Sequence, residues 1–439
     1  MLAWFSAARY HARPRRGILY QLENSVQLLK ARRWIPLVSR TVIMLGLTSL
    51  FTDISSEMVA TILPLYLLFD LQLSPATFGV IDGLYQGAAA LVRLFGGVAA
   101  DRLRRFKEVA VVGYGLSAVA RLGLLVVGNV WTLLAGVVLV DRLGKGIRTA
   151  PRDALISFNS SPEELGTAFG VHRALDTAGA MLGPVLAFAL LTLAPGAYDA
   201  VFVISLCAAL IGLGFLTLFV QNPPEAATGG GAAERHAMSW SDTAQLLRVP
   251  GMASLVLAGT LLSLATISDG FLYVAMQRRV EFAARFFPLL YVATAAIFML
   301  LAVPAGRLAD RIGRARVFIG GYMLLLAVYG SLLVRWTSPF PVIVDLILLG
   351  AYYAATDGVL MALAGAVLPP ERRAGGMALV TTGTSLARLA GSILFGLLWT
   401  WRGVGFAVAV TLTGLSAALV VGAVALRRGA AEQSGRAPA

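Results

Sequence analysis

Cysteine and histidine are almost missing from this chain. Cys207 is the only cysteine, which excludes an internal disulfide framework. Three histidines, His11, His172 and His236, are scattered along 439 residues. A dedicated metal site needs several such ligands at close spacing, so none is expected. Charge is scarce as well: 13% of residues are Asp, Glu, Lys or Arg, against roughly 25% in soluble proteins. No nucleophile motif, metal motif or phosphate-binding loop is present, so an enzyme is not expected, nor a cofactor. The first forty residues are dominated by basic side chains and lack the short apolar core and small-residue cleavage site of a signal peptide.

Apolar sequence fills the space instead. Hydrophobic residues make up 58% of the chain and the mean hydropathy is +0.78. A spanning helix needs about 20 mostly apolar residues. Twelve such stretches begin near residues 41, 78, 108, 131, 166, 199, 249, 286, 317, 339, 375 and 403. The expected fold is therefore an all-α integral membrane protein of twelve transmembrane helices. The organisation reads as a basic cytoplasmic segment (1–40), a six-helix half (41–221), a linker (222–247), a second six-helix half (248–427) and a tail (428–439). Asn222-Pro223-Pro224-Glu225 through Gly231 marks the break between halves.

The formal net charge of +13 suggests a nucleic-acid partner until its distribution is considered. Basic residues collect before helix 1 (Arg32, Arg33, Arg40), after helix 2 (Arg102, Arg104, Arg105, Lys107) and after helix 8 (Arg311, Arg314, Arg316). The loops after helices 1 and 3 have none. That alternation places both termini in the cytoplasm of a cell whose inner membrane the chain crosses, with lipid rather than nucleic acid as partner. Arg278, Arg279 and Arg285 after helix 7 break the pattern, facing outward beside Glu281 or capping a long helix 7.

A short phrase occurs twice, half a chain length apart. Gly97-Val98-Ala99-Ala100-Asp101-Arg102-Leu103-Arg104-Arg105 matches Gly306-Arg307-Leu308-Ala309-Asp310-Arg311-Ile312-Gly313-Arg314 in its Gly, Asp, Arg and closing Arg. A duplicated unit of this length makes the two halves pseudo-symmetric, an arrangement many transporters use for alternating access. Asp101 and Asp310 are expected at the N-terminal ends of helices 3 and 9, where the helix dipole favours negative charge.

Charges inside the apolar runs are the candidate functional groups, because each costs at least about 2.5–3.5 kcal/mol at mid-bilayer. Asp53 and Glu57 share one face of helix 1 and have no basic residue within a turn. Arg142 lies near the middle of helix 4, and His172, Arg173 and Asp176 in helix 5. Asp269, Asp357 and Arg388 are the corresponding charges of helices 7, 10 and 11. Arg173 with Asp176, and Asp141 with Lys145, have the spacing of local pairs. Arg93 and Arg121 read as braces between helices or snorkelling side chains. Asp53, Glu57 and His172 are the proton-carrier candidates.

Three motifs resemble the major facilitator superfamily, and the resemblance covers residues 40–427. The repeated Gly-Asp-Arg-Arg phrase resembles the family's gating loop, with Gly97, Asp101, Arg102, Arg105, Gly306, Asp310, Arg311 and Arg314 in that role and Arg104 departing from Gly313. Arg142-Leu143-Gly144-Lys145-Gly146 resembles the helix-4 motif whose arginine is linked to proton transfer. Gly179, Gly183 and Pro184 in helix 5 resemble the antiporter motif. Thr52–Met58, Asp141–Ala154 and His172–Thr177 are similar to a poorly characterised prokaryotic subgroup labelled as efflux permeases. The resemblance implies two six-helix halves around a cavity lined by helices 1, 4, 7 and 10. It implies proton-coupled antiport of a small organic compound, with a metal ion or metal chelate such as iron as the alternative cargo. A non-transporting scaffold or sensor is the remote alternative.

Overall fold

The computed structural model describes residues 38–103, 105–161, 164–222, 246–334, 336, 338–368 and 373–433. The basic leader, the linker after Asn222 and the last six residues lie outside them, so those expectations have no structural counterpart. So do Arg104 and the side chains of Arg93, Asp101, Arg102 and Arg373.

Among the described residues, twelve spans are all helical. The first half comprises α1 (Arg40–Leu65), α2 (Pro75–Leu103), α3 (Phe106–Val126), α4 (Trp131–Phe158), α5 (Leu165–Leu193) and α6 (Tyr198–Phe219). The second comprises α7a (Met252–Leu264) with α7b (Asp269–Val280), α8 (Phe287–Ile312), α9 (Arg314–Leu333), α10 (Phe340–Val367), α11 (Arg373–Arg402) and α12 (Val404–Gln433). Each starts within a few residues of its expected position. In hydrocarbon a backbone amide finds no water, so a spanning segment must satisfy its hydrogen bonds within itself. Ten of the spans are long and apolar enough to cross a membrane. The two that are not are α2 and α4. In α4, Asp141, Arg142, Lys145 and Arg148 dilute the apolar content, and the first half folds around that polar stripe.

The two halves repeat one packing scheme. In the first, α1 packs on α5 and α6, α2 on α4, and α3 on α4 and α6. In the second, α7a packs on α11 and α12, α8 on α10, and α9 on α10 and α12. The halves meet along two symmetry-related lines, α2 with α11 and α5 with α8.

The α2–α11 seam depends on glycine. Gly79, Gly83 and Gly87 fall on one face of α2 at four-residue spacing. A Cβ at Gly83 would lie 2.8 Å from the Leu389 carbonyl oxygen, and one at Gly396 2.4 Å from that of Pro75. The Ala76 amide donates to Thr400 Oγ1 at 2.8 Å. Phe78 packs edge-on against Phe271, with ring centroids 4.6 Å apart. These contacts run from the face opposite the start of α1 and the end of α12 to mid-depth, so the halves are joined at that far face.

Helix 7 is broken, where the sequence suggested a continuous span. Residues 265–268 leave the helix, and one tyrosine from α9 satisfies the freed backbone. Tyr329 Oη accepts from the Ile267 amide at 2.7 Å and donates to the Ala265 carbonyl at 3.3 Å. Arg278 and Arg279 end α7b, so the capping alternative describes them. Arg279 donates to the carbonyls of Leu332 and Val334 at the end of α9. Arg278 lies over Phe69 and Trp399 at 5.5 and 5.3 Å, bridging the halves.

Replacing Gly83 by leucine should separate the seam and lower the thermal midpoint of the detergent-solubilised protein by the equivalent of about 1–3 kcal/mol. Gly214, with nothing within 4 Å of its Cβ position, should accept leucine with little change. Equal melting of the two variants would show that the seam carries no stability.

Candidate functional site

The polar interior of the first half is built on Asp141. Its carboxylate pairs with Arg121 at 3.1 Å and with the neighbouring Arg142, whose Nε donates to it at 3.0 Å. All three side chains are buried, 4% exposed or less. Arg121 also donates to Ser55 and Ser56 of α1 at 3.1 and 3.2 Å, so it braces α3 against α1 and α4. The Arg142 guanidinium lies 3.8 Å from the centre of the Tyr85 ring of α2. The expected Asp141–Lys145 pair does not form: two guanidiniums occupy the Asp141 carboxylate, and Lys145 lies within electrostatic reach of Asp53 and Glu57.

Asp53 and Glu57 are half-buried. Among the described residues neither has an ion pair within 4.0 Å. Asp53 faces Lys145 of α4 and Asp176 of α5, and Glu57 stands toward Arg142 and Tyr85. Gly183 makes this approach possible, since a Cβ there would lie 2.8 Å from the Cβ of Glu57. Gly179 plays the same part against the Leu50 carbonyl, at 2.3 Å. Pro184 continues the helix one residue later.

Asp176 also receives Arg173 at 3.4 Å, the local pair anticipated, and Arg152 at 3.9 Å. His172 lies buried against Ser49 at 3.1 Å. Asp53, Glu57, Arg142, His172, Arg173 and Asp176 thus gather on α1, α4 and α5.

The second half places its charges differently. Asp357 and Arg388 lie 3.9 Å apart across a cavity of about 190 Å³. Its walls come from α2, α7a, α9, α10 and α11. Helices 7 and 10 contribute to it, and its first-half wall is Gln86 of α2. Asp269 is not mid-helix but opens α7b, where its carboxylate accepts from the Tyr353 hydroxyl at 2.5 Å.

The family model of the Major Facilitator Superfamily matches residues 45–302 and 270–439. The chain belongs to the major facilitator superfamily. An uncharacterized MFS-type transporter of Methanocaldococcus jannaschii is 31% identical over 377 residues, covering 82% of this chain and 89% of the relative. An uncharacterized protein of Mycobacterium tuberculosis is 29% identical over 372 residues, covering 82% and 87%. The structure of the nucleoside transporter NupG superposes with a TM-score of 0.73 at 16% identity, covering 89% of this chain and 99% of NupG. The protein is therefore a multi-pass membrane transporter of this superfamily, within a poorly characterised prokaryotic group.

In this transporter the repeated loop phrase sits one turn earlier than expected. Asp101 and Asp310 lie in the last turns of α2 and α8, not at the starts of α3 and α9. The helix runs on until Gly313, whose φ of 105° is open to glycine and ends α8 there. Asp310 reaches across this turn to Arg314 at 3.1 Å, and Arg314 also donates to the Ala362 carbonyl of α10 at 3.2 Å. Arg311 is exposed, Gly306 lies inside α8, Gly97 inside α2, and Arg105 precedes α3.

Sequence reasoning missed Asp82. It is buried in α2 and accepts from Ser392 of α11 at 2.6 Å, so it joins the two halves. The signal was present, an acidic residue beside Gly79, Gly83 and Gly87. It also missed Asp345, buried in α10.

Removing the Asp141 carboxylate strands two buried guanidiniums. Asp141→Ala should destabilise the protein by about 3–5 kcal/mol, read as a large fall in thermal midpoint or in folded yield. Arg173→Ala, whose side chain is 79% exposed, should change either quantity little. A well-folded Asp141→Ala protein that melts like the parent would remove Asp141 from the centre of this half.

Proposed function

We propose that the protein is a proton-coupled antiporter that exports a small organic compound from the cytoplasm across the inner membrane. The carrying observation is that Asp53 and Glu57 of α1, Asp176 of α5 and Lys145 of α4 lie within electrostatic reach of one another, on helices that Gly183 lets approach closely. Two carboxyl groups near one another repel when both are ionised. Arg173 and Arg152 beside Asp176 keep that one charged, so that a proton goes to Asp53. The pair is thus a natural station for a proton, and Lys145 is a cation able to take its place. Glu57, one turn along, extends the station toward Arg142. Helix 5, which brings Asp176, carries the Gly179-Gly183-Pro184 segment that resembles the antiporter motif. Arg142 and Lys145 beside these carboxylates oppose a bare metal cation and favour an organic cargo.

Alternating access supplies the transport cycle. On this reading, with both termini in the cytoplasm, the α2–α11 seam lies toward the outer face. Its release, with closure at the cytoplasmic face near the Asp310–Arg314 pair, would expose the cavity outward.

In proteoliposomes with an imposed pH gradient and a mixed pool of metabolites and drugs, the parent should accumulate its cargo. Asp53→Asn or Glu57→Gln should abolish that accumulation while sparing exchange without a gradient, because exchange moves no net proton. Undiminished accumulation by both variants would make the carboxylates structural.

A second test addresses the seam. In a Cys207→Ser background, Ala76→Cys with Thr400→Cys should crosslink on oxidation and arrest transport, and reduction should restore it. Transport at the parental rate with the crosslink complete would show that the seam does not open.

A further inference from the structure

The cavity of the second half has an occupant written into its charges. Asp357 and Arg388 are the only ionisable acid and base among its lining residues. At 3.9 Å they are too far apart for a hydrogen bond. Among the described residues the Arg388 guanidinium makes no hydrogen bond, and its Nε is buried. Half of the Asp357 side chain is open, at 51% exposure. The Arg388 side chain is itself 34% exposed, so both charges reach the open cavity, unlike Arg121 and Arg142, which close to contact on the buried Asp141. The Asp357–Arg388 pair stands ajar.

We propose that the cavity binds a small zwitterion, its anionic group held by Arg388 and its cationic group by Asp357. The assignment rests on the reading of the protein as an exporter of small organic compounds and names the class of cargo. Net neutrality carries it. A ligand that is only an anion would be drawn to Arg388 but repelled by the Asp357 carboxylate 3.9 Å away. A ligand that is only a cation would be drawn to Asp357 and repelled by Arg388 in the same way. A dipolar ligand satisfies both groups as it separates them.

The walls support the same orientation. The hydroxyls of Thr356, Thr381 and Thr384 donate to carbonyls of their own helices, at 2.8, 2.8 and 3.0 Å. Toward the cavity they therefore present lone pairs, which suit an ammonium or amide donor. Size limits the choice, because about 190 Å³ falls below the roughly 300–1,000 Å³ typical of drug-sized sites. A compound of amino-acid dimensions suits the space better than a large amphiphile.

The test is equilibrium binding to the purified full chain in detergent, by titration calorimetry with no gradient imposed. The probes are α- and ω-amino acids of increasing charge separation, each with its N-acetyl derivative (anion only) and its methyl ester (cation only). At least one zwitterion should bind more tightly than both of its blocked derivatives by about tenfold or more, with Asp357→Asn and Arg388→Gln each losing a similar factor. Binding of a blocked derivative as tight as the zwitterion's, or no zwitterion binding at millimolar concentration, overturns the proposal. The comparison of probes on the parent protein stands even where a variant fails to fold. Zwitterion binding without gradient-driven accumulation would sink the coupling proposal and leave this one. Accumulation of a compound that is not a zwitterion would do the reverse.

Discussion

One carboxylate in the wrong solvent organises the first half of this protein. Asp141 sits deep in a span, where an uncompensated charge costs several kcal/mol, and it is answered by Arg121 from another helix and Arg142 from its own. Answering it fixes the neighbours. Arg121 must also reach Ser55 and Ser56, which sets α3 against α1, and Arg142 must lie over Tyr85, which sets α4 against α2. With both guanidiniums committed there, Lys145 is the α4 cation left within electrostatic reach of Asp53 and Glu57. The candidate site is in this sense the remainder of a structural ion cluster. The carboxylates of α1 are poorly paired because the strongest cations nearby are already occupied.

The second half meets the same constraint with tyrosine. Its broken seventh helix leaves backbone groups free at mid-depth, and hydroxyls answer them. Tyr329 bridges Ile267 and Ala265, and Tyr353 closes on Asp269. A hydroxyl donates and accepts without carrying charge, so the break persists without an ion pair. The two halves thus share a packing scheme but not an interior. The first is dense with salt bridges, and the second holds an open Asp357–Arg388 pair beside a cavity. Between them runs a seam of glycines and one buried carboxylate, Asp82, which draw α2 and α11 closer than larger side chains would allow.

The class of protein was legible in the sequence, because long apolar runs admit few alternatives to spanning helices and a repeated phrase half a chain apart admits few alternatives to duplication. Helix positions followed for the same reason, each start falling within a few residues. The intramembrane charges were legible one by one, since each is anomalous in its run. Their partners were not. Spacing along a helix suggested Asp141 with Lys145, but Arg121, twenty residues earlier on a different helix, lies nearer in space and carries a fork of donors that a lysine lacks. Asp82 went unnoticed because its meaning depends on Ser392, more than three hundred residues away along the chain. The break in helix 7 was equally hidden, since nothing between Leu264 and Asp269 forbids a helix and only Tyr329 makes leaving it tolerable.

The sequence by itself determined how many helices there are, where they run and which side chains are out of place in lipid. The reason is that hydrocarbon imposes the same requirement on every backbone amide and every charge. Tertiary structure alone decided which of those charges are answered and which stand open, because that depends on distances between helices. Those distances are set by glycines such as Gly83, Gly183 and Gly396, whose contribution is the absence of a side chain.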